Sequence, residues 1–383
     1  MAADRHSVSQ ETLAWAIARA GYRAVDLARK YPDLSAWLDG TKSPTYRQVD
    51  ALSQTLSLPI AILFMRTPPT LPDPRPLYRS LSITGPEVVG PALARQLHRA
   101  QLFQNAIRAI YPDRDCKLTS DGPTLFDADT DIVEAAASLR IFLGVSEEER
   151  LNWPRSSDNA LKRWRERLEY SDIQVFKSAF HDQDIAGFCI HDLRHPLIYV
   201  NNSQPKTRQI FTLFHETCHL ILGYSGVDQV EEGRIPERRA YQKLERFCDA
   251  FAAEFLAPRS LVERMIDSEN SYAENAETIG SRLNISREVI LGQFVSIGTL
   301  TWGNYHVIID RWRSDPGKDS KSKGGSFYNN QLAYLGRQYI SDVLNAHRRA
   351  NIDGDEAARF LGIAPRLVDR LAANVEGHVD VRD

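Results

Sequence analysis

The sequence predicts a mainly α-helical protein with one small β-sheet, an α+β chain built from more than one domain. Three observations predict it. Apolar residues recur at helical spacing over most of the chain. Three short apolar or β-branched runs with polar breaks, Ile173–Phe176, Ala186–Ile190 and Leu197–Val200, fall close together and read as strands. Five prolines within Thr67–Pro76 form a stiff extended linker and the clearest domain boundary.

Residues 8–66 read as compact and helical. An amphipathic stretch from Thr12 to Ala18 stops at Gly21, and a second short helix covers about Ala24–Tyr31. A third runs near Asp33–Leu38 and ends at Gly40. A fourth starts after Pro44-Thr45 and carries Val49, Leu52 and Leu56 at helical spacing, and Pro59 precedes Ile60–Met65. Beyond the linker, helices are expected over 86–111, 129–143 and 157–170, ahead of the strands. A helix from about Thr207 to Leu222 follows the strands. Another spans about Arg238–Leu256 with Pro258 just beyond, and 274–297 reads as a helical pair. Ser314–Ser326 is a surface loop by composition, and Asn329–Ala373 is helical again. The resulting domains are 1–66, a linker 67–85, a core 86–300 with its chemistry in 207–258, and a helical C-terminal region 301–383.

A chain of 383 residues exceeds one ordinary core. With 43% apolar and 25% charged residues it is ordinary for a soluble globular protein, which excludes global disorder. A formal net charge of −3 gives no bulk signal for nucleic acid. The four cysteines, Cys116, Cys189, Cys218 and Cys248, form no CxxC pair and suggest neither a disulfide framework nor a four-cysteine metal site. No N-terminal segment resembles a signal peptide, and no apolar run approaches the roughly 18 residues of a membrane span. A cytoplasmic location with reduced thiols and no membrane partner is therefore expected.

The chemistry concentrates at His215-Glu216-Thr217-Cys218-His219. Histidines four apart on a helix share a face, so both imidazoles can reach one Zn²⁺. Glu216, adjacent to the first, can take a proton from metal-bound water. The motif sits in an apolar helix closed by Gly223 and preceded by strand-like segments. The plainer alternative is a half-buried helix with two incidental histidines. A zinc site needs a third protein ligand, and no third histidine follows at metzincin spacing. Downstream, Glu245 and Asp249 lie one turn apart on one helix face. Either can reach the metal, leaving the other to orient a histidine. Cys218 faces away from both histidines and reads as a packing residue.

The two segments together resemble the ImmA/IrrE family of metallopeptidases. The resemblance rests on Phe211-Thr212, His215-Glu216, His219 and Gly223, then Glu245, Asp249, Phe251-Ala252, Leu256 and Pro258, and it spans roughly residues 170–300. It implies a zincin-like core with His215, His219 and Glu245 as Zn²⁺ ligands and Glu216 as general base. The chain departs at Cys248, where the family usually has alanine; a thiol there behaves as a small hydrophobe. The expected mechanism is peptide hydrolysis, with Glu216 passing its proton on to the leaving amine. The oxyanion needs a donor. Tyr241, His181 and His191 are the candidates, and nothing in the sequence ranks them. Pro196–Asn201, read as an edge strand, is placed to bind an extended peptide by strand addition.

The first 66 residues resemble a helix-turn-helix of the XRE repressor type through Ser35-Ala36-Trp37, Gly40, Pro44-Thr45, Gln48, Leu52 and Leu58-Pro59. The stretch from Leu27-Ala28 to Trp37 is shorter than in that family, so the turn and the start of the recognition helix, the parts that reach base edges, are reduced. Eight Lys/Arg against six Asp/Glu over these residues are a weak basis for phosphate binding. A docking module that kept the fold is the competing reading. The tail segment Glu356–Leu371 also looks like a short helix-turn-helix, although core packing explains its spacing as well.

The resemblances imply a zinc endopeptidase acting on a regulatory protein such as an XRE-type repressor. The alternative they imply is an antitoxin-like binding protein paired with a PIN-type ribonuclease toxin, and a third is a transcriptional repressor.

Overall fold

The computed structural model describes residues 7–70, 90–120, 126–223, 238–314 and 327–376. The chain is mainly helical with one three-stranded sheet, and it divides into two compact units. One comprises Met1–Gln101 with Phe180–Asp182, and the other the remainder.

In the first unit, helices α1 (Gln10–Arg19), α2 (Ala24–Ala28), α3 (Leu34–Leu38), α4 (Tyr46–Leu56) and α5 (Ile60–Leu63) surround a core that includes Leu13, Leu34, Trp37, Val49, Leu52 and Leu63. Local chemistry sets the boundaries. Ser9 accepts from the amide of Thr12 to start α1, and Thr45 and Gln48 form a reciprocal capping box on α4. The second helix is shorter than its periodicity suggests: it ends at Ala28, and Lys30 and Tyr31 close a turn onto Leu27. Most of the proline-rich linker lies outside the described residues.

Helix α6 (Pro91–Ile110) leads into the second unit. There α7 (Lys117–Ser120), α8 (Ile132–Phe142), α9 (Glu147–Leu151) and α10 (Ser157–Tyr170) precede strands β1 (Gln174–Ser178), β2 (Gly187–Ile190) and β3 (Leu197–Asn201). Then follow α11 (Lys206–Ile221), α12 (Arg238–Leu256), α13 (Arg259–Met265), α14 (Tyr272–Leu283), α15 (Arg287–Ile297) and α16 (Trp302–Ser314). The tail folds as α17 (Phe327–Leu335), α18 (Arg337–Arg348), α19 (Gly354–Leu361) and α20 (Val368–Glu376). Besides the one-turn α7, sequence periodicity misses α9, α13 and α16. The first two are single turns or little more, and the third mixes charge with exposed aromatics such as Trp302. The loop expected at Ser314–Ser326 lies, apart from Ser314, outside the described residues.

The sheet order is β1-β3-β2, with β1 parallel and β2 antiparallel to β3. This corrects one expectation. The segment Pro196–Asn201 is not an edge: β3 is the central strand, paired on both sides and fully buried. Among the described residues the free edges belong to β1 and β2. Strand β2 lies against the motif helix α11 at Gly187, where a Cβ would come within 2.6 Å of the Thr212 methyl and 2.9 Å of the Tyr199 carbonyl oxygen. Only glycine allows that approach.

The tail is held to the sheet by one arginine. Buried Arg165 donates to Glu169, to the Ala333 carbonyl at 2.7 Å and to the Val175 carbonyl on β1. Tyr339 completes the contact edge-on to Phe103 and Phe176.

An aromatic seam joins α10, α11 and α12. Phe214, the residue before the first motif histidine, stacks on Phe255 at 4.1 Å between centroids, and Trp164 packs edge-on against Phe214 at 4.8 Å. All three are essentially inaccessible to water. Burial of such rings contributes about 3–5 kcal/mol on truncation to alanine. Phe214→Ala is therefore expected to lower stability by about that amount in urea unfolding.

Candidate metal centre

Helix α11 starts after Pro205 and ends at Gly223, whose left-handed backbone (φ 75°) stops it one residue past the C-cap. Between these limits the 3.6-residue period turns Phe214 and Cys218 inward and sets His215 and His219 on one flank. His219 is 1% exposed, and His215 is half-buried. Helix α12 brings Glu245 against that flank, where its other residues, Cys248, Phe251, Ala252 and Phe255, fill the core.

The three side chains converge. Nε2 of His215 and Nε2 of His219 are 3.1 Å apart. One oxygen of Glu245 is 3.3 Å from the first ring nitrogen, and the other is 3.2 Å from the second. Ligand atoms of all three residues lie within 4.8 Å of one another. A tetrahedral zinc shell with bonds near 2.0–2.1 Å has donor–donor edges of about 3.3 Å, so the observed spacings fit one. In the metal-free state the two ring nitrogens can share a proton in an N–H···N bond, and a metal ion bound between them would take the place of that proton. A carboxylate facing both supplies the charge that a divalent ion needs.

Of the two acids the sequence leaves open, Glu245 is the one that faces both rings. Asp249, one turn on, meets the opposite nitrogen of His215, Nδ1, at 3.0 Å. That is the geometry by which a carboxylate fixes the ring orientation of a metal-binding histidine. Glu216 is 5% exposed, and its Oε2 has no hydrogen-bond partner among the described residues.

The electrostatics follow from this crowding. Burial disfavours charge on His215, but Asp249, Glu245 and Glu216 outweigh it and hold its pKa well above the ordinary histidine range. Burial acts the same way on His219, and the Cys248 side chain and Glu245 overcome it. Burial would raise the Glu245 pKa, but the two histidines hold it far below the usual carboxylate range.

Sequence reasoning read Cys248 as a small hydrophobe without placing it beside a histidine. Cys248 packs beside His219 and meets the thiol of Cys218. Its position three residues after Glu245 was the available signal. Burial, then Cys218, pushes the Cys248 pKa up, and Cys248 is not among the three converging side chains. All four cysteines are buried and free. The side chain of Tyr241 lies outside the described residues, and neither His181 nor His191 belongs to the converging cluster.

No helix among the described residues is long and apolar enough to cross a membrane. No curated protein matches the chain. Residues 168–293, which hold the sheet, the motif helix and α12, match the profile of the M78 peptidases, described as the IrrE N-terminal-like domain. That match covers the segment that carries the His-His-Glu cluster and supports the resemblance to the ImmA/IrrE metallopeptidases.

Proposed function

We propose that the protein is a zinc-dependent endopeptidase with His215, His219 and Glu245 as metal ligands, Asp249 orienting His215, and Glu216 as general base. The observation that carries this reading is the convergence of two imidazole nitrogens and one carboxylate at 3.1–3.3 Å. Zn²⁺ held by these three residues would supply Lewis-acid polarisation of a scissile carbonyl and acidify water. Glu216 would accept the proton of the attacking water and return it to the leaving amine. The unpartnered, buried carboxylate oxygen of Glu216 suits that role, since a proton acceptor already tied to a donor is a weaker base. The free edge of β2, pinned to the motif helix at Gly187, is the place where an extended peptide would pair.

The proposed substrate is a regulatory protein of the XRE-repressor kind, on the strength of the family resemblance. The first unit is proposed to dock protein rather than read DNA. Its second and third helices have only five residues each, about one and a half turns, which is little for a helix meant to lie in a major groove.

Three tests follow. Purified protein should carry about one zinc per chain by elemental analysis, with strong loss in His219→Ala and in Glu245→Ala, and Asp249→Ala should weaken affinity by about 10–100-fold. Zinc kept at full occupancy by Glu245→Ala would remove that residue from the ligand set. Glu216→Gln should keep the metal yet lose cleavage of a candidate repressor, read by gel and mass spectrometry. Cleavage at the wild-type rate by this variant would exclude it as the base.

The third test concerns protons. Both ligand histidines have pKa values raised above their unfolded-chain values. Their pairing with Glu245 therefore stabilises the metal-free fold below the unfolded pKa of about 6.5, and this contribution fades as pH rises through the folded values. The metal needs neutral rings, so zinc uptake at pH 7 must expel protons and affinity must rise with pH. Calorimetric titration in buffers of different ionisation heat should show release of about one proton or more per zinc. A buffer-independent heat would contradict this linkage.

A further inference from the structure

A second concentration of charge lies away from the metal centre. Helices α8, α9, α10 and α13, with the end of α12, line a cavity of about 480 Å³. Its wall is apolar at Val145, Phe255, Leu256 and Leu261, and Arg140, Arg150 and Glu147 also line it.

Arg150 is 7% exposed and has no carboxylate partner among the described residues. It donates from Nη2 to the Leu283 carbonyl at 2.6 Å and lies over the rings of Trp164 and Trp153. Its Nε is buried with no acceptor. Burial, and then the charge of Arg140, lowers its pKa to about 9. Arg140 has no ion pair either. It donates to the carbonyls of Glu254 and Phe255 at 3.1 and 3.3 Å, and burial lowers its pKa too.

The neighbouring acids are engaged elsewhere. Glu147 pairs with Arg264, Glu254 with Arg259, and Glu149 with Arg167. Two guanidinium groups that repel each other thus line one cavity with neither in an ion pair; Glu147 at its wall and Glu254 nearby favour the charge on Arg140, but each is bonded to another arginine. Stacking on tryptophan and two sets of carbonyl bonds offset only part of that desolvation. Arginine used purely as a structural cation is ordinarily given a carboxylate. An oxyanion would answer both charges and give the orphaned Nε its acceptor.

We propose that this cavity is a binding site for a small molecule with a carboxylate head on an apolar body. The two arginines supply the charge, and the surrounding Val, Leu and Phe side chains cover the rest of the ligand. The site is separate from the metal centre. Phe255 stands ten positions after Glu245 on α12, about 15 Å along a helix.

Octanoate is the probe, titrated calorimetrically into the full-length protein, with octanamide and inorganic phosphate in parallel. Octanoate is expected to bind and to raise the unfolding temperature, with octanamide and phosphate each much weaker. Arg140→Gln and Arg150→Met, checked as folded by circular dichroism, should each weaken octanoate by about tenfold or more, the scale of a lost charge-assisted hydrogen bond. Arg140 is the less buried of the two, so its variant keeps the test decisive if Arg150→Met does not fold. Binding should persist in His219→Ala, where the proposed metal centre is disabled. The proposal is overturned by the absence of octanoate binding, by equal binding of octanamide, by unchanged binding in Arg140→Gln, or by loss of binding in His219→Ala, which would place the carboxylate on the metal.

Discussion

The packing of α11 against α12 is the constraint on which everything else in the second unit rests. Each helix alone carries half of a site. The Phe214–Phe255 stack, closed by Trp164, fixes how far apart they stand. At that distance the Glu245 carboxylate meets both ring nitrogens and Asp249 meets the far side of His215. Interiors are packed as densely as organic crystals, so a seam of this kind tolerates little adjustment. The sheet bears on the same arrangement from the other side, because β2 approaches α11 only where residue 187 lacks a Cβ.

Much of this was legible in the sequence where the information is local. His215, Glu216 and His219 sit on one helix, and a period of 3.6 residues is enough to bring the two rings together. Caps at Ser9, Thr45 and Ser271 announce helix starts by side chains that reach only three residues ahead. Glu245 belongs to another helix, and spacing alone left it level with Asp249. The tertiary distances separate the two. The strand over 197–201 was legible as a strand but not as the centre of its sheet. Strand order depends on partners far apart in the chain, and a fully buried strand looks alike in either position. The burial of Arg150 was equally hidden, because a charged residue in a short helix reads as surface until packing is known.

The polar interior of this unit falls into two kinds. At the metal centre, opposite charges gather around a point where a cation belongs, and their mutual pairing shifts all three pKa values toward the charged forms. In the cavity beside Trp164, two arginines without ion pairs of their own lie close together, and burial shifts both toward the neutral form despite Glu147 at the wall. The Arg165 network that holds the tail is a third case. There carboxylate and carbonyls satisfy the guanidinium directly, which is the arrangement expected of an arginine with only a structural task.

Glu245 lies 26 positions beyond His219, on a separate helix. A metal grasped by all three ligands is therefore also a reversible staple across that length of chain. The unfolded polypeptide lacks the assembled three-residue set, so a filled site counts mainly toward the native state. By mass action, each tenfold excess of free metal over the dissociation constant then adds about 1.4 kcal/mol to folding. The abundance of intact protein in a cell would thus follow its supply of zinc, with starvation exposing the chain to turnover before any substrate is met.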